Sequence, residues 1–119
     1  MKFYCLKNCS TCRRVRQQLE DQGIAYEEID IREQPPTDKE IRLGLSFAQG
    51  NPRKIMNTSG QLYREKGLKD QLDHLDDQEI IGLLSQEGML VKRPFMVDQE
   101  KASAGGRPQD LKSVWGIEE

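Results

Sequence analysis

The segment Cys9-Ser10-Thr11-Cys12, near the start of the chain, limits the fold and the chemistry more than any other feature. Residues Lys2–Leu6 before it have the composition of a short buried strand, and the residues after it have helical spacing. Two cysteines separated by two residues at the start of a helix can open and close a disulfide. The helix N-terminus carries about half a positive charge and unpaired N–H groups, which favour a thiolate over a thiol. The pattern therefore predicts a redox pair formed by Cys9 and Cys12.

Half of a zinc site is the alternative interpretation, because a CxxC motif can also supply two ligands to Zn²⁺. A closed site needs four ligands, and the chain offers only Cys5, Cys9, Cys12 and His74 as cysteine or histidine ligands, without a second CxxC or an HxxxH motif. This favours redox use over metal binding, with no bound metal or cofactor. We expect Cys5 to be an inert thiol buried in the first strand, and His74 to be solvated.

Length and charge indicate one small domain without a polyanionic partner. The chain has 119 residues, with 18 Lys and Arg against 20 Asp and Glu, a net charge of −2. This balance argues against direct binding of nucleic acid. No apolar run approaches the ~20 residues that a membrane span requires. The 3 cysteines lie too close together for a secreted disulfide framework, so we expect a cytoplasmic protein.

The remaining sequence predicts two structural halves separated by a helical insertion. Residues 24–31 form a second strand, parallel to the first, and Thr37 and Glu40 form a capping box that begins a helix. Near the C-terminus, strands at 95–97 and 102–104 precede a last helix that ends at about Trp115. We predict an α/β, thioredoxin-like fold with a four-stranded mixed sheet in a single domain, 1–119. Its βαβ half covers 1–34, the insertion 36–88 and the ββα half 90–119.

Several motifs outside the CxxC segment occur in one order along nearly the whole chain. They are Tyr26–Ile31, Pro35-Pro36-Thr37, Asn57-Thr58-Ser59-Gly60, Tyr63-Arg64, Gly67-Leu68-Lys69, Leu90-Val91-Lys92-Arg93-Pro94 and Gly106-Arg107-Pro108. Together they resemble the arsenate-reductase-like family of thioredoxin folds. That family includes glutathione-coupled arsenate reductases and the Spx-type redox regulators of low-GC Gram-positive bacteria.

The resemblance implies roles for residues that match the family's motifs. Cys9 occupies the place of the cysteine that attacks the oxyanion. Arg93 matches an arginine that holds the oxyanion and precedes a cis proline, here Pro94, and Arg107 matches a later contributing arginine. The place of a third arginine falls at Asn57. The resemblance thus implies a cradle for an oxyanion or a carboxylate, with one charge fewer than in the reductases.

Cys12 also departs from the glutathione-coupled reductases, which have a serine at its place, and it matches the regulators and other CxxC members. We expect Cys12 to act as an internal resolving thiol, with Arg13 close enough to tune it. Arsenate is therefore not the expected natural substrate.

Two functions are compatible with these residues. The first is a thiol–disulfide reductase using Cys9 and Cys12, with glutathione, a glutaredoxin or a thioredoxin as electron donor. The second is an Spx-type redox sensor that binds the RNA polymerase α-subunit. We expect a monomer in either case.

Overall fold

The computed structural model describes residues 1–118 and contains a four-stranded sheet in the order β2-β1-β3-β4. The strands are β1 (Lys2–Cys5), β2 (Glu27–Asp30), β3 (Phe95–Val97) and β4 (Ala102–Ala104). β1 is parallel to β2 and antiparallel to β3, and β3 is antiparallel to β4. The mixed sheet of a thioredoxin-like fold is confirmed. The predicted last segment reaches Glu119, which lies outside the described residues.

One face of the sheet is covered by the helices α1 (Ser10–Asp21) and α6 (Pro108–Trp115). Because successive strand residues point to opposite faces, Phe3 and Cys5 of β1 both point toward α1. They pack in one cluster with buried residues of α1, β3 and the C-terminal segment: Cys12, Val15, Leu19, Met96, Leu111 and Ile117. This packing fixes the N-terminus of α1 against the sheet.

The other face is covered by the insertion. Its helices are α2 (Asp38–Ala48), α3 (Gln61–Glu65), α4 (Leu68–Gln71) and α5 (Asp77–Gln86), with 3₁₀ turns at Pro52–Ile55, Leu72–His74 and Gly88–Leu90. Tyr4 and Phe95 from the sheet pack against insertion residues such as Ile41, Ile55 and Leu84. The predicted capping box of Thr37 and Glu40 is present at the start of α2. The segment 68–74 and the turn at 88–90 were not predicted as helical.

No helix within residues 1–118 is long and apolar enough to cross a membrane.

Candidate active site

Cys9 lies at the N-terminus of α1, where it is the N-cap residue. Its backbone N–H donates to the carbonyl of Leu6 at 3.2 Å, and its carbonyl accepts from the N–H of Arg13 at 3.0 Å. The residue is half-buried. These bonds hold Cys9 at the positive end of the helix dipole.

Cys12 lies one helical turn further on and is fully buried, with 0% of its surface exposed. It packs in one buried cluster with Cys5, and Cys9 packs against the same cluster. The hydrogen bond with Cys5 and then burial raise the pKa of Cys12 well above that of a free cysteine. All 3 cysteines are free thiols. The arrangement pairs a half-exposed thiol, Cys9, with a buried thiol, Cys12, whose pKa is raised.

Cys9 opens into a cleft of about 390 Å³ between the sheet and the insertion. The cleft is lined by four cationic side chains and a single carboxylate: Lys54, Lys92, Arg93, Arg107 and Asp110. The whole chain has a net charge of −2, so positive charge is concentrated around the exposed thiol. Such a site attracts a negatively charged ligand.

Arg93 lies at the cleft, next to a cis peptide bond with Pro94. The cis bond predicted from the family resemblance is confirmed. One guanidinium nitrogen of Arg93, Nη1, donates to the carbonyls of Met89 and Val91, both at 3.2 Å. These bonds fix the side chain, and within residues 1–118 its Nε–Nη2 edge makes no hydrogen bond. That edge can grip an anion through two parallel N–H groups.

Two further residues implied by the resemblance also line the cleft. Arg107 is the exposed N-cap residue of α6, with its Nε 4.0 Å from Oδ2 of Asp110. Asn57 is held by a 2.8 Å bond from its N–H to the carbonyl of Leu90. The structure therefore brings Cys9, Arg93, Arg107 and Asn57 together.

Arg13 is exposed and does not line the cleft, so its expected effect on Cys12 stays a prediction. Arg14 donates to the carbonyl of Gly106 at 2.7 Å, and Arg16 is bound to Glu28 and Cys5. The side chains of Arg14 and Arg16 therefore connect α1 to the loop before α6 and to the sheet.

A larger groove of about 720 Å³ lies elsewhere, between Lys2, Glu40 and Asp98. No cysteine, histidine or arginine lines it. We place the chemistry in the smaller cleft because that cleft contains the accessible thiol. Within residues 1–118, no three His, Cys, Asp or Glu side chains are grouped so that they could hold a metal ion.

The model of the ArsC family matches residues 4–114. This chain belongs to the ArsC family. A crystal structure titled a possible arsenate reductase, from Streptococcus mutans UA159, superposes with a TM-score of 0.84 at 42% identity, over 93% of this chain and 96% of that one.

Two curated proteins are similar to this chain over most of its length. The uncharacterized protein YusI of Bacillus subtilis (strain 168) is 37% identical over 115 residues, which are 97% of this chain and 98% of YusI. The global transcriptional regulator Spx 2 of Oceanobacillus iheyensis is 30% identical over 105 residues, 88% of this chain and 76% of the regulator.

Lys54 and Lys92 are cleft residues that the sequence prediction missed. Lys92 lies directly before Arg93, and its position within that family motif was an available signal. Lys54 follows Pro52 in a 3₁₀ turn of the insertion, and no local pattern indicates that this turn faces Cys9. In this ArsC-family protein, the two lysines add charge beside Asn57, the position at which the resemblance calls for an arginine.

Proposed function

We propose that this ArsC-family protein is a thiol–disulfide oxidoreductase in which Cys9 is the nucleophile and Cys12 the resolving thiol. The Cys9 thiolate attacks one sulfur of a substrate disulfide, forming a mixed disulfide and releasing the other sulfur as a thiolate. Cys12 then loses its proton and attacks Sγ of Cys9, which releases the second substrate thiol and leaves a Cys9–Cys12 disulfide. A two-electron donor, namely glutathione, a glutaredoxin or a thioredoxin, restores both thiols.

The observation that carries this proposal is the pairing of a half-exposed thiol at a helix N-terminus with a buried thiol one helical turn further on, in the cluster against which the first packs. Thiol exchange requires access for the first cysteine and proximity for the second. Cys9 is accessible because it lies at the helix N-terminus and lines the cleft. Cys12 is close to it because only one helical turn separates the two residues.

The charge of the cleft indicates the class of substrate. Four cations and one carboxylate surround Cys9, which favours a disulfide with negative groups close to the sulfur. A mixed disulfide of glutathione, whose tripeptide carries two carboxylates, has this character. We propose glutathionylated thiols as the substrate class and the cytoplasm as the compartment.

Turnover of a glutathionylated peptide, with glutathione and a glutaredoxin or with thioredoxin as reductant, tests this function. The wild type should release the peptide thiol. Cys9→Ser should be inactive, and Cys12→Ser should accumulate a mixed disulfide at Cys9 that mass spectrometry identifies. Equal turnover by wild type and Cys9→Ser would overturn the proposal.

A redox sensor that binds the RNA polymerase α-subunit is the second candidate, and the similarity to Spx 2 favours it. In that case the Cys9–Cys12 disulfide changes the affinity for a partner instead of completing a catalytic cycle. Titration of purified α-subunit with reduced and oxidised protein separates the two functions. The sensor requires binding that depends on oxidation, whereas the reductase requires none.

A further inference from the structure

Cys5 belongs to the same thiol cluster as the redox pair. It is the last residue of β1 and is 1% exposed, beside the fully buried Cys12. Cys12 and Cys5 pack in one buried cluster, and Cys9 packs against the same cluster. Cys12 can therefore exchange partners without leaving its place in the core.

Cys5 also has a cationic partner that an inert core thiol does not need. Nη2 of Arg16 donates a hydrogen bond to Sγ of Cys5 at 3.4 Å. The guanidinium is held in place by Glu28, with 2.6 Å from Nε to Oε1 and 3.1 Å from Nη2 to Oε2, and it lies 5.8 Å from the centre of the Phe3 ring. A fixed guanidinium at a sulfur favours the thiolate.

The protonation of Cys5 follows this geometry. The hydrogen bond with Cys12 is the largest influence and lowers the pKa of Cys5, and the hydrogen bond from Arg16 lowers it further. Burial and the charge of Glu28 act in the opposite direction but do not reverse the shift. The Cys12 thiol is consumed when the Cys9–Cys12 disulfide forms, so in the oxidised protein the guanidinium of Arg16 is the group that favours the Cys5 thiolate.

We propose that Cys5 is a third redox cysteine. After the Cys9–Cys12 disulfide has formed, Cys5 replaces Cys9 as the disulfide partner of Cys12. The Cys5 thiolate attacks Sγ of Cys12 in the Cys9–Cys12 disulfide, so that a Cys5–Cys12 bond forms, the Cys9–Cys12 bond breaks and Cys9 leaves as a thiolate. One disulfide replaces another, so the step needs no external oxidant or reductant. It rests on the proposed function, which supplies the Cys9–Cys12 disulfide.

The exchange moves the negative charge from the core to Cys9 at the N-terminus of α1. The product carries a buried disulfide and a free Cys9. Such a protein can attack a second substrate before its first disulfide is reduced. Its buried disulfide is also less accessible to a protein electron donor than Cys9–Cys12.

The experiment oxidises the protein with one equivalent of diamide, blocks free thiols with iodoacetamide at successive times, and maps disulfides by mass spectrometry. In the wild type, Cys9–Cys12 should appear first and Cys5–Cys12 should grow at its expense, with Cys9 becoming alkylated. In Cys5→Ser, Cys9–Cys12 should persist and Cys9 should remain protected. Arg16→Gln should slow the conversion about tenfold, because fewer Cys5 thiols are ionised without the charged donor.

Arg16→Lys keeps a positive charge in case the glutamine variant folds poorly, and Arg64→Gln, an exposed arginine outside the site, is the matched control that should convert at the wild-type rate. A stable Cys9–Cys12 disulfide in the wild type, with Cys9 protected throughout, would overturn the role of Cys5 and leave the proposed function intact. Failure to form Cys9–Cys12 in Cys5→Ser would instead overturn the proposed function.

Discussion

The hydroxyl of Tyr4 donates a 2.6 Å hydrogen bond to Oε1 of Glu40, which joins the first strand of the sheet to the first turn of α2. The same oxygen accepts the N–H of Thr37 at 3.0 Å, and the other carboxylate oxygen lies 3.1 Å from Nζ of Lys2. A single buried carboxylate thus completes a helix cap and anchors the insertion to the sheet. Burial, followed by the hydrogen bond to Glu40, raises the pKa of Tyr4.

Removing this carboxylate should destabilise the protein more than removing an ordinary cap. We expect Glu40→Ala to lower the free energy of unfolding by about 3 kcal/mol, because the buried Tyr4 hydroxyl and the Thr37 N–H lose their acceptor. Glu79→Ala is the matched control, since Glu79 completes the second capping box at Asp76 in an exposed position. It should cost about 1 kcal/mol. Equal losses of unfolding free energy in the two variants, measured by urea denaturation, would contradict the anchoring role of Glu40.

The contribution of Glu40 should also depend on pH. Burial alone would raise the pKa of Glu40, but the hydrogen bonds from Tyr4, Thr37 and Lys2 outweigh it and hold the pKa below its usual value. Because the folded-state pKa is depressed, the stabilisation is fully present above the unfolded value of about 4.3 and is lost as pH falls through the folded-state value. The stability difference between wild type and Glu40→Gln should therefore shrink below about pH 4. A difference that stays constant from pH 7 to pH 3 in urea titrations would show that ionisation of Glu40 does not contribute.

Local sequence signals were sufficient for most of the fold. The capping box at Thr37 and the helix that follows Asp76 depend on residues three positions apart, so their geometry is encoded within one helical turn. The strand Phe95–Val97 and its partner at 102–104 were predicted at their observed bounds because a short polar turn separates two small apolar runs.

Local sequence patterns could not predict the contacts between segments that are distant along the chain. Arg16 reads as one of several arginines on an exposed helix face, and only the packing of α1 on the sheet brings it to Cys5 and Glu28. Lys54 enters the cleft because the insertion folds over the sheet. The family motifs supplied Cys9, Arg93, Arg107 and Asn57, but not the cations that this chain adds to them.

Gly44 weakens the helical pattern of α2, and its environment explains why a better helix former is unsuitable. A Cβ at this position would lie 2.9 Å from Cε1 and 3.1 Å from Cζ of the fully buried Phe95. Gly44→Ala should therefore destabilise the protein by about 1–3 kcal/mol despite the higher helix propensity of alanine. Gly82 in α5 is the control, because a Cβ there would meet nothing within 4 Å. Thermal unfolding should show a lower Tm for Gly44→Ala and a slightly higher one for Gly82→Ala, and the reverse order would refute the packing argument.

The two lysines of the cleft should govern the preference for anionic substrates. Lys54→Gln and Lys92→Gln should each lower kcat/KM for a glutathionylated peptide by about two- to fivefold, the range for a partly exposed charge pair. The loss should be smaller at high salt because screening already weakens the attraction. Lys66→Gln, an exposed lysine outside the cleft, is the control and should match the wild type. The kcat/KM for an uncharged disulfide substrate should fall much less in the two lysine variants. Equal losses of kcat/KM for the charged and the uncharged substrate would argue against charge recognition.

Arsenate reduction should be weak or absent in the wild type, and Asn57→Arg should raise it. Arg93, Arg107 and Asn57 line one cleft with Cys9, and the lysines there are point charges that lack the planar fork of a guanidinium. Loss of one charged donor at an oxyanion site costs about 3 kcal/mol, or ~10²-fold in rate, so restoring the arginine should recover a measurable part of that factor. Thr58→Arg is the control, since it adds the same charge to the same turn outside the cleft. Robust arsenate turnover by the wild type with glutathione and glutaredoxin, unaffected by Arg93→Ala, would refute both the weak activity and the assignment of these residues to an anion cradle.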